Sequence, residues 1–350
     1  MGELFESSNG NFDIQKNHIN GKGEYVITAG LTDNGIMGKT DVEAKIFDEK
    51  TITIDMFGAV FFRQFKYKMV THARVFSLTP KFEITERQGL FLANSFHFLS
   101  KKFGYENMCS WAKIKSEKIH LPTQNGKIDF AFMENFIAEL EAERIGKLDA
   151  YLVENNLKDC ALMEEEERVL EEFEKVIFKE FNVTDIFDVK NTKNILSRDI
   201  VGNSGNVPYL CASSENNAIS SYISYDERYL DKGNCVFIGG KTFVVSYQEK
   251  DFYSNDSHNL ALYLKNQTTN KLNQLYLATC INKSLGYKYS WGDSISNKKI
   301  QSDKVSLPVK NSQPDYETME IFISAIQKLV IKDVVQYAER KVAATRAVVK

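Results

Sequence analysis

The chain lacks the features that mark several large classes of protein. Its 350 residues contain only short apolar runs, whereas a helix needs about 20 consecutive apolar residues to cross a bilayer. The amino-terminal sequence MGELFESSNGNFD does not show the basic-then-apolar order of a signal peptide. These absences predict a soluble, cytoplasmic protein, and because copy one of the repeat described below begins almost at residue 1, we expect no leading segment.

Cysteine, proline and histidine are too few and too scattered for the common catalytic and metal-binding motifs. The five cysteines never stand in CxxC spacing, which is typical of reduced thiols that serve as small packing residues. The five prolines are never adjacent, so the Asn/Asp-Pro-Pro-aromatic loop of an amino-methyltransferase is missing. The five histidines show no HExxH spacing, and there is no GxxxxGK[ST] phosphate loop. We therefore predict no catalytic residues and no metal site.

The net charge of −3 conceals an uneven distribution along the chain. Residues 123–180 carry 16 acidic and 7 basic side chains, and the segments on either side are mildly basic. That balance permits contacts with phosphate groups without demonstrating them.

An internal repeat is the strongest pattern in the sequence. Residues 116–141 (SEKIHLPTQNGKIDFAFMENFIAELE) match residues 302–327 (SDKVSLPVKNSQPDYETMEIFISAIQ) at a constant offset of 186, with ten identities in 26 positions. Weaker matches follow in the same order, such as TAGLTDNGI (residues 28–36) with CASSENNAI (residues 211–219). Collinear matches with small changes of offset indicate two divergent copies of one domain.

Each copy begins with short apolar or alternating runs that predict β-strands, punctuated by turn residues, and continues with one helix. The predicted strands lie at residues 51–62, 73–78, 234–247 and 259–264, and the predicted helices at residues 89–103 and 273–285. This mixture predicts an α+β fold built from two tandem α/β domains. We expect domains at residues 1–122 and 181–308, central spacer helices at 123–180 and a carboxy-terminal spacer helix at 309–350.

After each Leu-Pro pair the apolar period changes to three or four residues, which predicts a long amphipathic helix. Asp129 and Asp315 precede these helices in positions suited to N-capping. We expect the two helices to pair in an antiparallel, coiled-coil-like arrangement that gives the chain an internal pseudo-twofold axis. The predicted spacer-helix packing residues are Met133, Phe136, Ile137, Leu140, Met319, Phe322, Ile323 and Ile326.

This order of domain, Leu-Pro helix, acidic connector, second domain and second Leu-Pro helix resembles the DNA specificity (S) subunit of Type I restriction-modification systems. The ELFE start at residues 3–6, echoed by DIFDV at residues 185–189, supports the resemblance, which covers nearly the whole chain. The connector at residues 151–178 is similar to that of the BcgI-like Type IIB relatives in particular.

The resemblance implies a noncatalytic subunit with two target-recognition domains, each of which reads one half of a bipartite sequence in double-stranded DNA. The paired helices would set the gap between half-sites and dock two adenine-N6 methyltransferase subunits. S-adenosylmethionine would be bound by that partner, and Mg²⁺, with or without ATP, by a restriction subunit or by a nuclease fused to the methyltransferase. We expect no cofactor in this chain and no membrane partner.

DNA contacts are expected from polar residues on loops, because Arg and Lys pair with guanine edges and Asn and Gln with adenine edges. The candidate residues in the first copy are Lys39, Thr40, Arg63, Gln64, Lys66, Tyr67 and Lys68. The candidates in the second copy are Asn203, Asn206, Lys241, Ser246, Tyr247, Gln248 and Lys250.

Two other classes of function stay open from the sequence. A noncatalytic duplicated-domain scaffold or lectin-like binding module, not specific for DNA, could use the same repeat and would show no salt-dependent affinity for DNA. A free-standing enzyme is the third class, and the missing motifs disfavour it.

Overall fold

The computed structural model describes residues 1–266 and 270–348, with side chains described as far as residue 344. The chain divides into two compact units, which are Met1–Ala150 together with the chain from Arg340 onwards, and Tyr151–Glu339. Among the described residues, no helix is both long and apolar enough to cross a bilayer.

The described residues 1–150 of the first unit form nine strands and three helices. They are β1 (Phe5–Asn9), β2 (Glu24–Ile27), β3 (Ile36–Thr40), β4 (Thr51–Ile54), β5 (Val60–Arg63), β6 (Tyr67–Met69), β7 (Phe76–Pro80), α1 (Glu86–Asn94), α2 (Trp111–Ile114), β8 (Thr123–Gln124), β9 (Lys127–Ile128) and α3 (Phe130–Glu154), the last of which extends into the second unit.

Two sheets and a hairpin organise this unit. An antiparallel sheet of order β1-β7-β4-β5 packs its apolar side chains, such as Ile52 and Leu78, against Leu92 of α1 and Met133 of α3. A smaller sheet of order β3-β2-β6, in which β2 and β6 run parallel, has its own buried cluster around Tyr67. Strands β8 and β9 form the hairpin.

In the part of the second unit that the structure describes there are ten strands and five helices. They are α4 (Glu164–Glu172), β10 (Phe178–Asn182), α5 (Val183–Ile186), β11 (Phe187–Asn191), β12 (Val207–Leu210), β13 (Ile219–Ile223), β14 (Cys235–Gly239), β15 (Val244–Gln248), β16 (Tyr253–Ser254), β17 (Leu260–Leu264), α6 (Lys271–Leu285), α7 (Asn297–Ile300), β18 (Lys304–Lys310), β19 (Gln313–Pro314) and α8 (Tyr316–Val348), whose end belongs to the first unit.

The second unit repeats the topology of the first. Its main sheet has the order β11-β17-β14-β15, and its small sheet has the order β13-β12-β16 with β12 and β16 parallel. Even an irregularity of register recurs, between Val26 and Ile27 in β2 and between Tyr209 and Leu210 in β12. The internal repeat in the sequence therefore corresponds to a repeated α+β fold.

The same local interactions start the equivalent helices. Thr85 caps α1 and Asn270 caps α6, each with a side-chain oxygen that accepts from the backbone two or three residues later. Asp129 Oδ1 accepts from Phe132 N at 2.9 Å, and Asp315 Oδ1 accepts from Thr318 N at 3.1 Å, as the capping prediction requires. The two aspartates thus define where α3 and α8 begin.

Two predicted helices are shorter in the structure than in the sequence pattern. The first-copy helix predicted for residues 89–103 is α1, which ends at Asn94 and gives way to a 3-10 turn at His97–Lys101. The acidic segment of the connector forms a helix only at Glu164–Glu172, and Phe178 already belongs to β10. Backbone pairing of β10 with β18 outweighs the helical spacing of apolar residues at the end of this segment.

Candidate functional site

A left-handed loop separates the first two strands of each small sheet. Between β2 and β3, Asp33, Asn34 and Gly35 have φ angles of 47°, 54° and 72°. Between β12 and β13, Asn216, Asn217 and Ala218 have φ angles of 47°, 51° and 67°. Positive φ is uncommon for residues other than glycine and costs on the order of 1–3 kcal/mol at each position. Such a run persists only where the surrounding structure holds it.

Buried Arg63 holds the loop of the first copy. Its guanidinium Nη2 donates to the carbonyl oxygen of Asn34 at 2.8 Å, and its Nε donates to the Thr53 hydroxyl at 2.9 Å. The side chain is 2% exposed, and burial lowers its pKa to about 10. At the other end of the loop, the carboxylate of Asp55 accepts from the backbone of Gly30 at 2.9 Å. Arg63 is therefore a structural anchor.

Gln248 takes the equivalent place in the second copy. Its side-chain Nε2 donates to the carbonyl oxygen of Asn217 at 2.9 Å and to the Ser246 hydroxyl at 2.9 Å. The side chain of Asn217 donates in turn to the carbonyl oxygen of Tyr247 at 3.1 Å. An arginine in one copy and a glutamine in the other thus donate to equivalent backbone carbonyl groups. The loop side chains themselves are exposed, namely those of Asp33, Asn34, Asn216 and Asn217.

These loops align with each other in the repeat, but none of the residues predicted to contact DNA lies in them. The signal was present in the Asp-Asn-Gly and Asn-Asn-Ala triplets, because Asn and Asp tolerate left-handed backbone better than other residues do. The anchors could not be identified in the same way, because Arg63 and Gln248 follow their loops by about thirty residues.

Three predicted contact residues of the first copy, Lys39, Gln64 and Lys66, are at least partly exposed. The Lys39 ammonium lies 4.4 Å above the centre of the Tyr25 ring, which packs at 4.6 Å against Phe65. Gln64 and Lys66, on either side of Phe65, are exposed. Gln64 and Asn34 also line an open depression of about 420 Å³.

The predicted contact residues of the second copy are spread apart. Lys241 and Lys250 lie beyond opposite ends of β15, a strand about 17 Å long at 3.4 Å per residue. Lys241 pairs with Asp256 at 2.9 Å. Asn203 receives a hydrogen bond from the Ser221 hydroxyl and lies exposed with Asn206 in the loop before β12. Of these four residues, Lys250 is nearest in sequence to the anchor Gln248.

Seven predicted contact residues are buried, which removes them from the set that can touch a ligand directly. The Lys68 ammonium donates to the carbonyl oxygens of Thr40 at 3.2 Å and Val42 at 2.5 Å, and the Tyr67 hydroxyl donates to Ser77 at 2.7 Å. These polar groups satisfy interior backbone and side-chain partners. The buried members are Thr40, Arg63, Tyr67, Lys68, Ser246, Tyr247 and Gln248.

The predicted spacer-helix residues divide by burial. Met133 and Met319 are fully buried, and Ile137, Phe322, Ile323 and Ile326 are half-buried. Phe136 and Leu140 differ from the expectation, because their side chains are 48% and 37% exposed. The apolar pattern of α3 therefore includes side chains that are not buried in the first unit.

The histidines and cysteines have ordinary surroundings. His72 and His258 form hydrogen bonds with Asp13 at 2.6 Å and Asp256 at 2.7 Å, both at the surface. All five cysteines are free, and burial raises the pKa of Cys109 and Cys235 to about 12. Within the described ranges, no group of three or more His, Cys, Asp or Glu side chains is placed to hold a metal ion.

Comparison with known proteins places this repeated fold in a family. A model of the Type I restriction modification DNA specificity domain matches residues 1–150 and 175–337. The specificity subunit S.BcgI of a Type II restriction enzyme from Heyndrickxia coagulans is 28% identical over 152 residues, which is 43% of either chain. The matched stretch therefore spans less than half the length of that relative.

The fold is also similar to a solved structure. The S subunit of a Type I restriction-modification system from M. genitalium superposes with a TM-score of 0.61 and 14% identity, covering 99% of this chain and 92% of that one. The family model matches most of the chain in two regions, one for each copy of the repeat. The chain therefore belongs to the family of Type I restriction-modification DNA specificity domains.

Proposed function

We propose that this chain is the noncatalytic DNA-recognition subunit of a restriction-modification complex and reads a bipartite target, one half with each copy. The observation that carries the proposal is the duplication of a family domain in which the scaffold is constant and the exposed side chains differ. Two readers with different side chains recognise different half-sites, so the target is asymmetric.

The left-handed loops and the exposed residues beside them are the proposed reading surfaces. In the first copy the surface is formed by Asn34, Lys39, Gln64 and Lys66. In the second copy Asn216 and Asn217 provide amide groups and Lys250 provides a cation. Amides suit the N6 and N7 groups of adenine, and lysine suits guanine or phosphate. Loops held in place before binding favour recognition because little conformational freedom is lost when DNA binds.

The remaining parts of the proposal concern partners. Two adenine-N6 methyltransferase subunits would dock on the chain, bind S-adenosylmethionine and flip the target base, because the amino group is inaccessible within the stack. A restriction subunit or a fused nuclease would use Mg²⁺, with or without ATP. Helices α3 and α8, which we propose pair antiparallel about the pseudo-twofold axis, are long enough to act as a spacer: 25 residues measure about 38 Å, close to the ~34 Å turn of B-DNA.

Methylation mapping of the assembled complex tests this function. The full chain is co-produced with its methyltransferase subunit, and methylated adenines are located by single-molecule sequencing. We expect an asymmetric bipartite motif. Gln64→Ala should relax one half of the motif and Lys250→Ala only the other, each by about 1–3 kcal/mol of discrimination if a base is read. Lys298→Ala, at an exposed lysine of α7, is the matched control.

The alternative of a scaffold that does not bind DNA predicts other results. Affinity of the complex for its target should fall steeply with salt, because lysines that neutralise phosphates release condensed counterions. A salt-independent affinity would favour the scaffold. Recovery of a perfect palindrome would contradict two different readers.

A further inference from the structure

Each copy has a second repeated loop, which follows its helix and presents aromatic side chains. The sequence FGYENMCSW at residues 103–111 corresponds to LGYKYSW at residues 285–291, so the two tryptophans of the chain end equivalent segments. We call these two segments the aromatic loops. Tyr105 is 79% exposed, Tyr287 is 84% exposed and Trp291 is 75% exposed. Exposed rings at the same place in both copies indicate an interaction surface.

An acidic side chain at the same position of the repeat anchors each aromatic loop. In the second copy the buried carboxylate of Asp303 accepts from the Tyr289 hydroxyl at 2.5 Å and from the Lys288 ammonium. Glu117, which aligns with Asp303, accepts at 2.7 Å from the ammonium of Lys102, next to the first aromatic loop. Loops anchored in this way lose little conformational freedom when a partner binds.

In the first copy, the aromatic loop and the left-handed loop are attached to the same turn, which joins β4 to β5. The carboxylate of Asp55 at this turn accepts from the backbone N–H groups of Gly30 and Phe57, both at 2.9 Å. The Phe57 ring meets the Tyr105 ring edge-on, with 4.9 Å between their centres. The exposed tyrosine is therefore linked to the left-handed loop through one carboxylate and one ring.

The turn between β14 and β15 makes the same connection in the second copy. The Thr242 hydroxyl donates at 2.9 Å to the carbonyl oxygen of Ala212, which lies in the loop between β12 and β13. The next residue, Phe243, stacks on Tyr289 of the aromatic loop with 5.4 Å between ring centres. These contacts span only a few residues, whereas one turn of B-DNA measures ~34 Å. A duplex bound at a left-handed loop would therefore extend past the aromatic loop of the same copy.

The surroundings of the aromatic loops are basic. Residues 101–115 contain four lysines and one acidic residue. Residues 283–293 contain two lysines and one acidic residue, Asp293, which forms an ion pair with Lys299. All six lysines of the two segments are exposed. In a chain with a net charge of −3, basic surface around exposed rings favours an anionic partner.

An open depression of about 800 Å³ lies beside Tyr105 and is lined by two basic residues, Arg74 and Lys113. Arg74 has a left-handed backbone with a φ angle of 48°, a conformation that is frequent at binding sites. Its guanidinium contacts the sulfur of Met108 at 3.2 Å, and among the residues that the structure describes no carboxylate pairs with it. A phosphate group has the charge and geometry that complement such a guanidinium.

We propose that the aromatic loops contact the sugar-phosphate backbone of DNA beside each half-site. Tyr105 and Tyr287 donate their hydroxyl groups to phosphate oxygens, and Arg74 pairs with a phosphate in the first copy. Contacts of this kind fix the register of a protein on the duplex but do not read its sequence. The inference rests on the proposed recognition of DNA and adds positioning contacts to the reading surfaces.

Binding of the assembled methyltransferase complex to two labelled duplexes tests the proposal. One duplex contains the mapped target, and in the other both half-sites are scrambled. Tyr105→Ala and Tyr287→Ala should each weaken binding to both duplexes about tenfold, because a hydrogen bond to a charged group is lost. The methylated motif should stay unchanged. Tyr105→Phe keeps the ring on Phe57 and should weaken binding about threefold, so it carries the test if Tyr105→Ala lowers the thermal midpoint.

Salt dependence separates the arginine from the tyrosines. Arg74→Met should reduce the slope of log affinity against log salt concentration by about 1, because one phosphate contact by a cation is lost. The tyrosine variants should leave that slope unchanged, since no charge is removed. Tyr151→Ala and Arg144→Met, at exposed residues of α3, are the matched controls and should change neither affinity nor slope.

Unchanged affinity in both tyrosine variants would overturn the proposal. A relaxed motif would overturn it as well, because the rings would then read bases. Loss of methyltransferase subunits, with unchanged DNA affinity of the complexes that stay intact, would show that the aromatic loops dock a protein instead. Methylation mapping with the wild-type chain separates these results from a failure of the proposed function, because a bipartite motif would remain even if the aromatic loops did not touch DNA.

Discussion

Arg63 is the residue whose role changed most between sequence and structure. A surface arginine could read a guanine edge, but this one lies 2% exposed and holds the carbonyl group of Asn34. Gln248 holds the equivalent carbonyl of Asn217. Both side chains are buried and donate to the backbone of a left-handed loop, so their variants should alter stability before they alter any contact with a ligand.

Replacement of Arg63 by methionine should lower the free energy of unfolding by about 2 kcal/mol, because the Thr53 hydroxyl and the Asn34 carbonyl lose a buried donor. Amides of residues 31–35 should exchange faster with solvent. Gln64→Ala, at the exposed neighbour, should change stability by less than about 0.5 kcal/mol. Urea denaturation measures both, and equal effects of the two variants would contradict an anchoring role.

The pair of Lys241 and Asp256 predicts a pH dependence. Partial burial acts to raise the pKa of Asp256, but hydrogen bonds from Lys241 and His258 outweigh it and hold the pKa at about 2. A depressed carboxyl pKa stabilises the fold above the unfolded value of about 3.9, and the contribution is lost as the pH falls towards 2.

Lys241→Met should therefore raise the pKa of Asp256, as followed by the carboxyl carbon shift in an NMR titration. The variant should also lose less stability than the wild type between pH 4 and pH 2, because the ionised Asp256 contributes less stabilisation in the variant. An unchanged pKa in Lys241→Met would show that His258 alone sets it. Lys250→Met, at an exposed lysine past the other end of β15, serves as the control.

At the scale of elements, α4 is held to α8 by a buried ion pair. Burial acts to raise the pKa of Glu166, and hydrogen bonds from Lys328, Ser324 and the Met163 backbone lower it on balance. The pair should stabilise the contact above the unfolded carboxyl pKa of about 4.3 and weaken as the pH falls through the folded value.

Lys328→Met should cost about 3 kcal/mol, since it leaves the Glu166 carboxylate buried without its cation. The double variant Glu166→Leu with Lys328→Met should recover most of that loss, because no isolated charge remains buried. A double-mutant cycle of unfolding free energies measures the coupling. Additive costs would show that the two groups do not interact.

The equivalent rings Phe136 and Phe322 provide a second test at this scale. Phe322 is half-buried between Tyr276 and Phe173, whereas Phe136 contacts Phe91 and Phe132 and is 48% exposed. Phe322→Ala should therefore cost about 3 kcal/mol in thermal or urea unfolding, and Phe136→Ala less than about 1 kcal/mol. Equal costs would indicate that the two faces are equally covered in solution.

At the scale of the whole molecule, duplication places two nonidentical copies of one family domain in a single chain. The scaffold that both copies share is carried by apolar positions and caps, such as Met133 with Met319 and Asp129 with Asp315. The exposed loops are free to diverge because few of their side chains contribute to the core. The exposed side chains of one copy can therefore change while those of the other copy stay the same.

Much of the architecture was predictable because it depends on local and periodic signals. The repeat, the strands and the helix starts at Asp129 and Asp315 follow from identities, apolar period and capping residues, and the order of the segments supplied the resemblance to the family. The candidate contacts were predictable only as segments. Side chains alternate between the two faces of a strand, so neighbours such as Arg63 and Gln64 point to opposite environments. Polarity alone does not predict which of the two is buried and which is exposed.

Identities at a constant offset, apolar spacing and matched caps are properties of the linear chain, so they were sufficient to identify a duplicated α+β domain, and the order of its segments supplied the resemblance to DNA specificity subunits. Three-dimensional contacts were needed to show that Arg63 and Gln248 are interior anchors and that the connector packs on the second copy. Burial and strand pairing depend on which segments meet in space, and contacts between residues as far apart as Glu166 and Lys328 leave no mark in either local sequence.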